Sequence, residues 1–237
     1  MNKTIFITGA SSGIGFALCM KMIRKGFNVV GVARRVEKLA ELNNHYSNHF
    51  LGVYADVTDI DSIKEAISLG IDKFGKIDIL INNAGIGIIG PVGENSLEDW
   101  NTMIDVNVKG VMNVTNLLLP QLIQNKGHII TIDSIAAHEV FPGSVVYCAS
   151  KHAAKAFTTG LEKELRGKVR VTKISPGYVN TEFKNHLKYK EYSDKMKASF
   201  ENGLNPDTIA DAIYFAINQD SNVAINEIMI RPFDNQE

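Results

Sequence analysis

Seven short segments rich in β-branched residues alternate with longer helical segments along the whole of this 237-residue chain. The strands are expected near 3 to 8, 28 to 33, 49 to 55, 78 to 82, 127 to 133, 168 to 175 and 226 to 231. Between them lie expected helices near 14 to 25, 36 to 44, 59 to 74, 96 to 124, 145 to 166 and 206 to 218. Ile77-Asp78-Ile79-Leu80-Ile81 and Ile129-Ile130-Thr131-Ile132 are apolar on both faces, the pattern of a parallel sheet covered on both sides. The alternation therefore predicts an α/β chain: a Rossmann-like, doubly wound parallel sheet of about seven strands with helices on both faces. No repeat, low-complexity tract or Pro/Gly/Ser-rich linker divides the chain, so residues 1–237 are expected to form a single domain.

Composition mainly excludes. A formal net charge of -1 with 22% charged residues gives no footprint for a nucleic-acid partner. No apolar run approaches the roughly 18 residues needed to cross a membrane. The amino terminus runs directly into Thr4-Ile5-Phe6-Ile7 and reads as a first strand, not a signal peptide. Cys19 and Cys148 have no framework spacing, which fits a reduced, cytoplasmic protein. His45 and His49 stand four apart without a clear third ligand, so no metal is expected.

The first strand is followed by Thr8-Gly9-Ala10-Ser11-Ser12-Gly13-Ile14-Gly15, which also opens the first helix. That is the context of a dinucleotide turn. Gly9 permits the bend, Gly13 lets backbone approach a pyrophosphate, and Gly15 lets helix pack on sheet, while the helix N-terminus offers free N–H groups to phosphate. The second strand ends at Ala33, where an acidic residue would favour an unmodified ribose, and continues into Arg34 and Arg35. Guanidinium groups suit a 2′-phosphate, so the predicted cofactor is NADP(H). Asp56 closes the third strand, either to accept from an adenine amino group or to start a helix. Asn82-Asn83-Ala84-Gly85 closes the fourth with small residues that leave room for cofactor.

Tyr147 and Lys151 are four apart on an expected helix and share a face, with Ser134 upstream. An ammonium near a phenol makes it a usable proton donor and acceptor; moving a tyrosine pKa from about 10 to near 7 takes roughly 4 kcal/mol.

Taken together, Thr8-Gly9-x-x-x-Gly13-x-Gly15, Asp56-Val57, Asn82-Asn83-Ala84-Gly85, Asn107, Ser134, Tyr147-x-x-x-Lys151 and Pro176-Gly177 resemble the classical short-chain dehydrogenases/reductases, in order and spacing, over the whole chain. Asn107-Val108-Lys109-Gly110, the stretch from Pro176 to Phe183 and Ile225-Asn226-Glu227-Ile228 are similar to the NADP-dependent 3-hydroxy acid and serine dehydrogenase branch. The resemblance implies hydride transfer between nicotinamide and a small carbonyl or hydroxy substrate. It casts Tyr147 as general acid or base, Ser134 as a hydrogen-bond donor to the reacting oxygen, and Lys151 as the group that lowers the Tyr147 pKa and binds ribose. Asn107 is implied to hold a relay water. Ser11, Ser12, Ile14, Val57, Asn83, Ala84 and Gly85 are implied cofactor contacts. Pro176, Gly177 and Val179 are implied to lie against the nicotinamide, with Thr181 bonding its carboxamide or a phosphate.

Residues 178–205 form a lysine-rich insertion at the carboxyl end of the sixth strand, a candidate substrate lid. Lys184 and Lys188 would share a helix face and meet a substrate carboxylate, while His138, Val140, Phe141 and Tyr178 are further candidates for substrate selection. Ala149, Ala153, Ala156 and Gly160 form a small-residue stripe roughly 200° from Tyr147, an expected contact in a homodimer or homotetramer. A 3-oxoacyl thioester reductase and a non-enzymatic NADP(H)-sensing protein are the alternative readings on the same fold.

Overall fold

The computed structural model describes residues 2–183 and 189–234. Seven strands, β1 (Thr4–Thr8), β2 (Asn28–Ala33), β3 (Phe50–Tyr54), β4 (Ile79–Asn82), β5 (His128–Ile132), β6 (Arg170–Pro176) and β7 (Glu227–Ile230), make one sheet. Their order is β3-β2-β1-β4-β5-β6-β7, and every pairing is parallel. The chain reverses its direction of travel across the sheet between β1 and β4, which opens a crevice at their carboxyl ends.

The two apolar faces of the strands each make a core. Ile5 and Ile7 of β1 pack on one side with Leu18 and Met22 of α1 (Gly13–Arg24), Leu39 of α2 (Glu37–His45) and, further along the chain, Ile209 and Ile213 of the helix Pro206–Ile217. Phe6, between them in sequence, joins the opposite core with Ile63 and Ala66 of α3 (Ile60–Phe74). Period-two alternation thus sends neighbouring side chains into different cores, each dominated by aliphatic residues.

The expected helix over 96 to 124 is three pieces: α4 (Leu97–Ile104), a π-helical turn (Asp105–Gly110) and α5 (Val111–Gln124). Ser96 and Asp99 form a reciprocal capping box at its start, satisfying two otherwise free N–H groups. At the π turn the helix passes so close to Val57 that a Cβ on Gly110 would stand 2.6 Å from its Cγ2, so only glycine fits. Sequence periodicity cannot show one extra residue in a turn, although such bulges recur at functional sites.

The remaining helices are α6 (Val145–Glu164), α7 (Lys190–Glu201) and α8 (Pro206–Ile217). The insertion over 178–205 is pinned at its base, where Val179 bridges to Leu204 and the Asn180 N–H donates to the Leu204 carbonyl at 2.9 Å. Lys184 and Lys188 lie outside the described residues. Among those described, no helix is long and apolar enough to cross a membrane.

Candidate active site

A cleft of about 600 Å³ runs along the carboxyl ends of the strands. One end is built by the glycine turn. Gly9 has φ 65° and Gly13 φ 52°, conformations that disfavour any side chain. A Cβ on Gly15 would lie 2.2 Å from the Gly9 carbonyl oxygen, and one on Gly13 would lie 3.0 Å from Thr181. The Ser12 hydroxyl does not cap α1, which leaves the first N–H groups of that helix facing the cleft. Asn83 braces the turn by donating to the Thr8 and Gly9 carbonyls at 2.8 and 3.1 Å, while the Thr8 hydroxyl accepts from the N–H groups of Asn83 and Ala84 at 3.0 Å each. Asn83 is thus a structural clamp, as its neighbour Asn82 is through Thr115.

Arg34 and Arg35 line the same end. Arg34 stands 3.9 Å from Asp56. Arg35 donates to the Ser12 hydroxyl at 3.0 Å and to Glu182 at 2.9 Å, and Lys38 donates to the other oxygen of Glu182 at 2.9 Å. These two cations hold the Glu182 carboxyl below its ordinary range. Asp56 accepts from the N–H and hydroxyl of Thr58, and the residue that caps α3 is Asp59.

Ser134, Tyr147 and Lys151 meet in the middle of the cleft. Ser134 leaves the end of β5 with extended backbone and starts a short 3-10 turn, its hydroxyl accepting from the Ala136 N–H at 3.1 Å. The same hydroxyl hydrogen-bonds the Tyr147 phenol. One turn along α6, the Lys151 ammonium is buried, donates to the Ile132 carbonyl at 3.1 Å and lies 6.0 Å from the centre of the Tyr147 ring. Gly85 lies alongside it, where even a Cβ would make ordinary contact at 3.5 Å from Nζ. Burial pushes the phenol above its ordinary value, with Ser134 opposing the shift and Asp133 adding to it. Burial also pushes the Lys151 ammonium down, against the pull of Asp133. The protein alone therefore keeps Tyr147 protonated: desolvation dominates, Ser134 is the group that opposes it, and the lowering expected from Lys151 does not emerge.

Asn107 sits at the π turn. Its amide accepts from the Ile86 N–H at 2.9 Å and donates to the Ile86 carbonyl at 2.8 Å and to the Ser150 hydroxyl at 2.9 Å. It ties α6 to the loop after β4 and does not line the cleft itself.

Ser11, Ile14, Val57, Ala84, Pro176, Gly177 and Val179 all line the cleft as expected of cofactor contacts; Gly15 stands behind its wall. Phe141 and Tyr178 also line it, whereas His138 and Val140 do not. His138 instead meets Lys155 at 2.7 Å, Glu227 at 3.0 Å and Ser175 at 3.1 Å, and Val140 is exposed. His45 bonds within its own helix to the Glu41 carbonyl, and His49 bonds the Asn28 side chain at the start of β2.

Two features escaped the sequence reading. Asp133, beside Ser134, is buried with both carboxylate oxygens unpartnered, and burial pushes it up to about 6 despite Lys151, Lys155 and Lys173. Phe183, Phe200, Met196 and Ile89 close the far end of the cleft. The aromatic residues of the 178–205 insertion are the signal for it in the sequence, of which Tyr178 alone is among the expected substrate contacts.

Residues 3–191 match the model of the short chain dehydrogenase family. The chain is 39% identical over 237 residues to a serine 3-dehydrogenase of Rhizobium radiobacter, covering 98% of this chain and 94% of that protein. It is likewise 39% identical over 236 residues to an uncharacterized oxidoreductase of Staphylococcus saprophyticus, covering 98% and 96%. Among solved structures, the closed form of serine dehydrogenase complexed with NADP+ superposes with a TM-score of 0.92 at 33% identity, over 99% of this chain and 96% of that one. An alcohol dehydrogenase of Thermococcus sibiricus complexed with 5-hydroxy-NADP gives 0.88 at 28% identity, over 100% and 99%. With a doubly wound sheet, a glycine turn at its switch point and a serine, tyrosine and lysine converging in one cleft, the chain belongs to the short-chain dehydrogenase family.

Proposed function

We propose that the protein is an NADP(H)-dependent oxidoreductase interconverting a small carbonyl compound and its alcohol. The observation that carries this reading is one continuous cleft with a phosphate-type turn and two arginines at one end and Ser134, Tyr147 and Lys151 along its wall. The cradle fits a dinucleotide: Gly9 and Gly13 hold the left-handed turn that lines the cleft, Gly15 lets α1 pack against that turn, and the uncapped N-terminus of α1 offers N–H donors. Ser11, Ser12, Ile14 and the N–H groups around Gly13 would hold the pyrophosphate. Arg34 and Arg35 would hold a 2′-phosphate, Asp56 and Val57 the adenine, and Lys151 the nicotinamide ribose. Ala84, Gly85, Pro176, Gly177, Val179 and Thr181 would enclose the nicotinamide. When bound, that group supplies or accepts the hydride. The NADP complexes of related dehydrogenases support the choice of cofactor.

The protein's own part is proton delivery and orientation. Burial holds the phenol of Tyr147 protonated, so it can give its proton to a substrate oxygen as the carbonyl π bond breaks. Ser134, fixed by the Ala136 N–H, directs its hydroxyl to the same place. Asn107 keeps α6 and the loop after β4 in register so that Lys151 stays beside Gly85. Small ketones or 3-hydroxy acids are the substrate class in view. Two buried, free cysteines accord with a cytoplasmic setting.

The test is NADPH oxidation with an activated ketone. Tyr147→Phe is expected to lower kcat by roughly 10²- to 10⁴-fold, the range for a lost general acid, with NADPH affinity within about twofold of wild type. NADH serving clearly better than NADPH would count against the roles of Arg34 and Arg35.

A further inference from the structure

Beyond Tyr147 the cleft changes character. The Tyr147 ring lies 5.7 Å from Phe183, Phe183 lies 5.8 Å from Phe200, and Tyr178 meets Phe200 edge-on at 5.0 Å. Ile89 and Phe200 are buried, with Met196 packed against them, and Phe141 and Pro142 complete the lining. The rings are seated, not merely near: a Cβ on Gly87 would stand 2.3 Å from the Phe183 ring.

The described cations of the cleft are elsewhere. Among the described lining residues they are Arg34, Arg35 and Lys151. Arg34 and Arg35 face Asp56 and Glu182 at the opposite end, and Lys151 is buried with its ammonium on the Ile132 carbonyl. The described polar groups around Tyr147 at that end are the hydroxyls of Ser134, Tyr147, Ser144 and Tyr178 and the buried carboxyl of Asp133. They suffice to orient a carbonyl oxygen, but they do not neutralise an anion. A carboxylate placed there loses its hydration and gains no counter-ion among the described residues, whereas an apolar group gains by leaving water and by ring contact.

We propose that this end of the cleft selects uncharged ketones bearing an apolar, preferably aromatic, group, and discriminates against substrates with a free carboxylate. The inference rests on the carbonyl chemistry proposed above and goes beyond it by naming the substrate. In the reaction, hydride adds to the carbonyl carbon and the Tyr147 proton to its oxygen, NADPH being oxidised to NADP+ and the ketone reduced to the alcohol.

The experiment compares one ketone with and without the charge, using the full chain and NADPH: ethyl 3-oxobutanoate against 3-oxobutanoate, then ethyl 3-oxo-3-phenylpropanoate. The expected result is a kcat/KM at least tenfold higher for the ester than for the acid, and a further gain from phenyl. Phe183→Ala is expected to remove most of the phenyl gain while leaving the Kd for NADPH unchanged, which also shows that the variant is folded. Equal or better use of the acid overturns the inference, and so does a phenyl gain that survives in Phe183→Ala. Phenyl trifluoromethyl ketone separates the two levels. If it is turned over and the acid is preferred, this inference alone fails; if NADPH is oxidised with no ketone at all in the set, the carbonyl chemistry fails and takes the inference with it.

Discussion

At the scale of single residues, Asp133 is the clearest conflict between site and stability. Its carboxyl is 4% exposed, has no hydrogen-bond partner for either oxygen among the described residues and titrates at about 6 instead of 3.8. An acid whose folded pKa exceeds its unfolded one favours the folded state below the unfolded value and loses that advantage as pH rises through the folded value. Asp133 therefore costs stability above pH 6, by at most about 3 kcal/mol for a shift of this size. Asp133→Asn is expected to raise the stability measured by urea unfolding at pH 7.5 by about 1 to 2 kcal/mol, with a smaller gain at pH 5 and little or none near pH 4. An Asn variant less stable than wild type at pH 7.5 would mean that the lysines around the carboxylate outweigh its burial. The charge sits where it opposes ionisation of Tyr147 and supports protonated Lys151, so its cost falls at the reacting groups.

Among the elements, the one covering the cleft is held by bare backbone in the loop after β4. A Cβ on Gly90 would stand 1.9 Å from the Tyr189 ring, whose hydroxyl donates to the Glu94 carbonyl at 2.5 Å just before α7 begins. Gly90→Ala must therefore displace Tyr189 and the start of α7. It is expected to raise the KM for ketone several-fold while NADPH affinity holds, and to add nothing in a Tyr189→Ala background, a coupling that a double-mutant cycle reads directly. The elements also show what a sequence discloses. Strands β1 to β7 and most helix bounds were legible from β-branched segments alternating with helical ones, whereas the strand order was read only from the structure. The glycine turn and the Tyr147 and Lys151 spacing were legible because their chemistry is local. The π turn under Asn107, the pairing of Arg35 with Glu182 and the Phe183 seat were not, because each depends on an approach between segments far apart in sequence.

On the scale of the whole molecule, α6 has two unlike faces. Tyr147 and Lys151 turn toward the cleft, while Ala149, Ala153 and Ala156 are exposed and nothing described lies within 4 Å of a Cβ built on Gly160. Among the described residues, nothing therefore packs α6 within the subunit through this stripe. Val145 on the same helix and Met112 on α5 are also exposed, at 50% and 44%. We propose that this face pairs with its own copy, since small side chains permit close helix approach and a two-fold contact sets the same patch against itself. Light scattering after size exclusion is expected to give a multiple of the 26.1 kDa chain mass at micromolar protein. Ala153→Glu with Ala156→Glu would bring like charges together across such a contact and is expected to shift the protein to monomer. Because the substituted positions lie away from Tyr147, the monomer should still bind NADPH, with a lower Tm that no longer rises with protein concentration. A wild-type monomer, or a doubly charged variant of unchanged mass, would place the subunit contact elsewhere or remove it, and leave the exposed alanines to be explained by helix propensity alone.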